Sequence, residues 1–312
     1  MAKPILIDTD TGVDDALALI IALRSPEVSV KAITTVAGNV EVHKCTRNVL
    51  YLLQLLNADD RIIVAQGATK PLKRKLFTAP EVHGSDGLGN TMLGKKLSNT
   101  ANKNAVDEIL AFCKRYKQRG TIVALGPLTN LARAYKKNPT MMRTIGFIVT
   151  MGGAFRVRGN TGPVAEFNYY VDPEAAECVL QSGLPVTVVP LDLTEQGRLT
   201  REDFARRAAR RANPVAKAIL DFTKFYMQYH KTTEGFNGGY AHDPIAVAIA
   251  VDPTMVNTRR ARISVETQNS YTRGMTSADF RNAQEHSGIR TSIAVNIDSQ
   301  RFLTFFHGRL WI

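Results

Sequence analysis

Cysteine is scarce in these 312 residues: Cys45, Cys113 and Cys178 are the three, far apart and in helix-like segments. An odd count with no C-x-x-C spacing argues against a disulfide frame or a zinc site and predicts buried free thiols. Long apolar runs are also lacking. The longest, residues 16–23 and 246–251, fall far short of the ~20 residues a membrane span needs. Met1 to Pro4 lead straight into a strand-like run without a signal-peptide hydrophobic region, so a cytoplasmic protein is expected. Acid is the scarcer charge, 28 Asp and Glu against 40 Lys and Arg, for a net +12. Such an excess would suit a nucleic-acid partner. The densest basic run, however, places Arg206, Arg207, Arg210 and Arg211 at the spacing of one solvated helix face. No aromatics are interleaved there to stack bases. Neither a nucleic acid nor a membrane is expected as a partner.

What is present is regular alternation. Residues 5–8, 28–36, 61–65, 121–125, 145–151 and 185–189 read as strands. Residues 13–24, 42–56, 105–117, 128–137 and 173–181 read as the helices between and after them. This predicts an α/β fold with a mostly parallel central sheet, open and doubly wound, and helices on both faces. Right-handed crossovers put the strand C-termini on one edge, where such sheets bind ligands. The second half is more helical. Thr200-x-x-Asp203 resembles a capping box and Asn213-Pro214 opens a helix. Residues 261–267 and 289–297 read as strands and 300–307 as a closing helix. The glycine-bearing stretches 72–99 and 234–241 read as long loops, the second mobile. With no repeat and no linker, one domain over residues 1–312 is expected.

The most informative stretch is Asp8-Thr9-Asp10-Thr11-Gly12-Val13-Asp14-Asp15. An apolar strand ends at Asp8, and a turn through Gly12 leads into a helix that is apolar nearly all round. Acidic caps would account for Asp14 and Asp15 but not for Asp8 and Asp10 on the strand. Four carboxylates so close repel one another, and a hard cation relieves that best. Oxygen ligands without nearby His or Cys point to Ca²⁺ ahead of Mg²⁺. An EF-hand is excluded, because Val13 stands where its glycine belongs. A haloacid-dehalogenase phosphatase, with Asp8 as nucleophile, is the rival. Further on, His242-Asp243-Pro244 follows a glycine-rich loop and opens an apolar helix. Gly159-Asn160-Thr161, Ala165-Glu166-Phe167-Asn168 and the strand end from Thr35 to Asn39 offer amides and a carboxylate suited to hydroxyls. Turn chemistry would explain these loops equally well.

At this point a resemblance becomes specific. Besides the aspartate motif, Thr35 to Asn39, His83-Gly84-Ser85-Asp86-Gly87-Leu88-Gly89, Gly126-Pro127-Leu128-Thr129-Asn130, Met151-Gly152-Gly153, Glu166-Phe167-Asn168 and His242-Asp243-Pro244 occur in order. Together they resemble the inosine-uridine nucleoside hydrolases over essentially the whole chain, most of all the broad-specificity bacterial ribonucleoside hydrolases. They displace the phosphatase reading.

The resemblance implies hydrolysis of the N-glycosidic bond of purine and pyrimidine ribonucleosides. It implies Ca²⁺ held by Asp10, Asp15, Asp243 and the Leu125 carbonyl, with Asp10 also the general base on a calcium-bound water. Leu125 departs from relatives with Thr there, which a carbonyl ligand tolerates. Asp14, Asn39 and Asn168 would hold the ribose 2′ and 3′ hydroxyls. Asn160, Glu166 and Met151 would line the 5′ end, and His242 would assist the leaving base. His83, Phe155, Phe167, Tyr226 and Tyr229 are candidates to touch the base, with packing roles equally open. A homodimer or homotetramer is expected by the same analogy. A non-catalytic nucleoside binder is the remaining alternative.

Overall fold

In the computed structural model, residues 2–92, 94, 101, 103–211, 213–281 and 288–312 are described. The elements of the first half follow the hydrophobic pattern closely. They are β1 (Lys3–Thr9), α1 (Val13–Leu23), β2 (Val28–Thr35), α2 (Val42–Leu55), β3 (Ile63–Gln66), α3 (Pro80–His83), β4 (Lys103–Asn104), α4 (Ala105–Tyr116), β5 (Thr121–Ala124), α5 (Thr129–Lys137), α6 (Pro139–Met142) and β6 (Phe147–Met151). There follow α7 (Phe167–Val171), α8 (Pro173–Leu180), β7 (Val186–Val189), α9 (Leu191–Thr194), β8 (Arg198–Thr200), α10 (Arg201–Ala209), α11 (Pro214–Glu234) and β9 (Gly238–Tyr240). The chain closes with α12 (His242–Val251), β10 (Val256–Val265), β11 (Thr276–Asp279), β12 (Thr291–Ile297) and α13 (Ser299–Leu310).

Ten strands form one sheet in the order β11-β10-β12-β7-β6-β5-β1-β2-β3-β4. From β12 to β4 every pairing is parallel, and β10 alone runs against its neighbours. The strands of the core are buried on both faces, as parallel strands must be. Successive residues of β1 show this. Ile5 and Ile7 enter the core shared with α1, α11, α12 and α13, while Leu6 enters the core shared with α4, α5 and α8. The expected mostly parallel sheet with helices on both faces is what the chain adopts. After β1 the chain builds outward through β2, β3 and β4, then returns to the other side of β1 as β5. That reversal opens a crevice between the C-terminal ends of β1 and β5, where doubly wound sheets bind ligands.

The second half departs from expectation at one loop. Residues 234–241 are not simply a mobile loop, because β9 pairs antiparallel with β8. Its glycines answer to crowding rather than freedom: a Cβ on Gly238 would meet the Leu199 carbonyl at 2.1 Å, and one on Gly239 the Tyr226 ring at 2.4 Å. Within the other expected loop, residues 93 and 95–99 lie outside the described residues. The capping expectations hold: Thr200 Oγ1 accepts from the Asp203 amide and Asn213 Oδ1 from that of Ala216. Cys45 and Cys113 are buried free thiols, and Cys178 is half-buried. No helix among the described residues is long and apolar enough to cross a membrane.

Candidate active site

Two buried helices aim their N-termini at the crevice. Residues 13–22 of α1 are buried throughout, as are residues 243–250 of α12. The two helices pack against each other. Each carries acid in its first turn, Asp14 and Asp15 on α1 and Asp243 on α12. Helix N-termini favour negative charge, so two of them together offset part of the repulsion. One oxygen from each of Asp14, Asp15 and Asp243 lies within 4.8 Å of the others.

Asp10 joins the group from the end of β1. The Asn39 amide donates to its Oδ2 at 2.7 Å, while its Oδ1 is buried with no hydrogen-bond partner among the described residues. The carboxyl is closed in by glycines. A Cβ on Gly38 would stand 2.1 Å from Oδ2, and one on Gly126 2.7 Å from Oδ1. Asp15 is oriented by the Thr9 hydroxyl, the Gly12 amide and the Asn39 side-chain amide.

Burial raises Asp10 and Asp243 well above the usual carboxylate range, and neighbouring aspartates raise both further. Burial, with Asp15 beside it, pushes Asp14 up to about 8. Burial raises Asp15 as well. Without a counter-charge these acids favour their protonated forms, and a cation in the group would let them ionise.

Asp8 does not belong to this cluster, which corrects the simplest reading of the motif. Its Oδ1 accepts from Thr34 Oγ1 and Asn130 Nδ2, tying β1 to β2 and α5. Burial pushes Asp8 up to about 7. Asp8 lies in β1 and Asp10 one residue past its end, and a spacing of two in the sequence could not separate their roles.

A cavity of about 860 Å³ opens over the cluster, with Asp14, Asn39, Leu125, Met151, Asn168 and Asp243 on its floor side. That volume suits a small organic ligand. Asn168 Nδ2 donates to the Leu125 carbonyl at 2.6 Å and to that of Met151 at 3.2 Å. The carbonyl expected to bind a cation is thus already an acceptor, with a second lone pair to spare. Asn160 and Glu166 line the same cavity. Asn160 Oδ1 holds the Phe167 amide. Glu166 caps α7, accepting amides from Asn168, Gly153 and Tyr169. Burial pushes Glu166 up to about 7.

The wall is aromatic and rich in histidine. His83, Phe167, Tyr226, Tyr229 and His242 all reach it. Phe155 does not reach it; it packs against the core between the sheet and α8, so it is withdrawn as a base contact. The Val13 amide donates to His83 Nδ1 at 3.1 Å, which fixes the proton of a neutral ring on Nε2. His242 Nδ1 lies 2.7 Å from Thr194 Oγ1. Burial pushes both rings down to about 3, so both are neutral. Tyr226 is buried, donates to the Tyr240 carbonyl and stacks on His83.

The sequence reading passed over His230 and Glu234, which also line the cavity and face each other at 3.0 Å. Their i, i+4 spacing on α11 was the available signal.

Comparisons with known proteins bear on this geometry. A family model described as inosine-uridine preferring nucleoside hydrolase matches residues 5–304. The pyrimidine-specific ribonucleoside hydrolase RihA of Shigella boydii is 42% identical over 311 residues, covering 99% of each chain. Among solved structures, a plant nucleoside hydrolase, PpNRh1, superposes with a TM-score of 0.94 at 34% identity, over 100% of this chain and 99% of its own. A purine-preferring ribonucleoside hydrolase from Gardnerella vaginalis gives a TM-score of 0.91 at 35% identity, over 99% and 98%.

Proposed function

The chain belongs to the inosine-uridine preferring nucleoside hydrolase family, enzymes that cleave N-glycosidic bonds, and from that premise we propose how its own residues do so and on which nucleosides. The observation that carries the reading is the buried carboxylate cluster of Asp14, Asp15 and Asp243, with Asp10 acting on Asp15 and its Oδ1 unpartnered among the described residues, beside a cavity that Asp14 and Asp243 line. Asp10, Asp15, Asp243 and the Leu125 carbonyl would hold Ca²⁺, an all-oxygen set that suits that ion. A cation there supplies positive charge that orients the ribose diol and makes a water more acidic.

The rest falls to the chain. Asp14, Asn39 and Asn168 accept from and donate to the 2′ and 3′ hydroxyls, and Asn160, Glu166 and Met151 seat the 5′ end. Asp10 takes the proton of the attacking water. The neighbouring carboxylates stabilise the oxocarbenium-like ribosyl group as the bond to the base breaks. His242 on the base side assists the departing base. Relatives of comparable identity are named for pyrimidine and for purine preference, and the cavity has room for either base. Both classes are therefore proposed as substrates.

The test is release of free base and reducing sugar from inosine and uridine, with and without a chelator, beside the 2′-deoxynucleosides. The expected result is chelator-sensitive turnover of both ribonucleosides, with the deoxy forms slower by on the order of 10⁴-fold, since loss of the 2′-OH strands buried polar groups. Equal turnover of inosine and deoxyinosine would refute the ribose contacts.

A further inference from the structure

Three histidine rings, His83, His230 and His242, meet at the base end of the cavity. Their far nitrogens are held differently. His83 Nδ1 accepts the Val13 amide at 3.1 Å, and His242 Nδ1 meets the Thr194 hydroxyl at 2.7 Å. His230 Nδ1 meets a carboxylate oxygen, Glu234 Oε1, at 3.0 Å. Its other nitrogen, Nε2, is buried and has no hydrogen-bond partner among the described residues. A buried polar atom left unpaired is costly, and the His230 side chain lines the ligand cavity, so a ligand group is the partner that Nε2 lacks.

We propose that His230, oriented by Glu234, is a catalytic residue that delivers a proton from Nε2 to the leaving base. This rests on the nucleoside hydrolase reading above and adds to it a residue on a different helix from His242. As the C1′–N bond breaks, its electron pair leaves with the base. The Nε2 proton passes to a base nitrogen, and the ring is left neutral with its Nδ1–H on the Glu234 carboxylate. The attacking water gives its oxygen to C1′ and a proton to Asp10. Release of that proton to solvent and reprotonation of His230 from solvent close the cycle.

The surroundings fit this task. Edges and faces of Tyr226, Tyr229 and Tyr240 enclose the ring, with centroids 4.6, 5.4 and 5.1 Å away, and limit it to one orientation. Burial outweighs the opposing Glu234 charge and lowers the pKa of His230, which makes its imidazolium a readier proton donor. The charged and titratable groups facing the pair are accounted for on each side. They are Tyr226 and Tyr229 from α11 itself, Tyr240 from β9, His242 from α12, His83 and Glu81 from α3, Arg198 from β8, and Glu195 just beyond α9, on which the Glu234 charge acts. His83 and His242 stay neutral, so neither competes with His230 for the carboxylate.

The experiment compares two leaving groups in wild type, His230→Gln and Glu234→Gln. One substrate is the better of uridine and inosine, whose base needs a proton. The other is p-nitrophenyl β-D-ribofuranoside, whose nitrophenolate leaves without one. His230→Gln should lose about 10²-fold or more in kcat on the nucleoside. On the nitrophenyl riboside it should stay within about threefold of wild type. Glu234→Gln should keep KM and move the alkaline limb of kcat/KM for the nucleoside to lower pH, because the imidazolium loses its counter-charge. Equal losses on both substrates would make His230 a packing residue and overturn the proposal, as would an unshifted limb in Glu234→Gln or a nucleoside rate that His230→Gln leaves unchanged. A wild type that turns over neither substrate would instead overturn the hydrolase reading itself.

Discussion

Asp10 shows how one side chain can be placed by what its neighbours omit. Gly38 and Gly126 leave room for its two oxygens, and a methyl at Gly126 would press on Oδ1 at 2.7 Å. Gly126→Ala should therefore fold normally, judged by melting temperature, and lose about 10²-fold or more in kcat, the cost of displacing a reacting group by around 1 Å. Wild-type turnover in that variant would remove Asp10 from the chemistry.

Glu166 offers a pH test at the same scale. Three backbone amides favour its charged form, yet burial outweighs them and pushes it from 4.5 up to about 7. Between those values the folded chain holds a proton that the unfolded chain has released. The resulting stability is fully present below about 4.5 and lost as pH rises through about 7. Wild type should thus lose more melting temperature between pH 5 and pH 7.5 than Glu166→Gln does. Parallel curves would mean that the carboxylate is already ionised in the folded state.

Among the elements, the turn from β1 into α1 and the start of α12 bring together the acids on which the proposed function rests. Both were legible in the sequence, because an apolar strand ending in acid before an apolar helix is a local pattern. The division of labour inside the first motif was not. Asp8 and Asp10 stand two residues apart at the end of β1, and what separates them is distant in sequence: Thr34 and Asn130 hold Asp8 Oδ1, while Gly38 and Gly126 surround Asp10. Asp8→Asn should accordingly cost stability and little turnover, whereas Asp10→Asn should cost turnover by on the order of 10³-fold or more with the melting temperature nearly kept. Side-by-side kinetics and thermal melts of the two variants check this, and comparable losses of turnover would restore Asp8 to the site. β9 was hidden for a different reason. Its glycines signal both freedom and crowding, and only the approach of Leu199 and Tyr226 shows that crowding applies. His230 was passed over because a lone histidine on a helix is most often structural, and its partner Glu234 lies one turn away near the helix end.

Across the whole molecule, the fold is a device for bringing distant carboxylates to one point. The reversal of strand order between β1 and β5 opens the crevice, and the packing of α1 on α12 delivers Asp243 to Asp15 across more than two hundred residues. Parallel topology was readable from strand and helix alternation. The antiparallel end built from β10, β11 and β12 was not, since runs of exposed arginine in β10 mask its alternation. The convergence is proposed to be stable because a divalent cation sits in it. The most direct test is anomalous diffraction from crystals grown with calcium. One strong peak per chain is expected between Asp10, Asp15 and Asp243, within about 2.3–2.6 Å of their oxygens. Ordinary solvent density at that point, with calcium in the crystal, would contradict it.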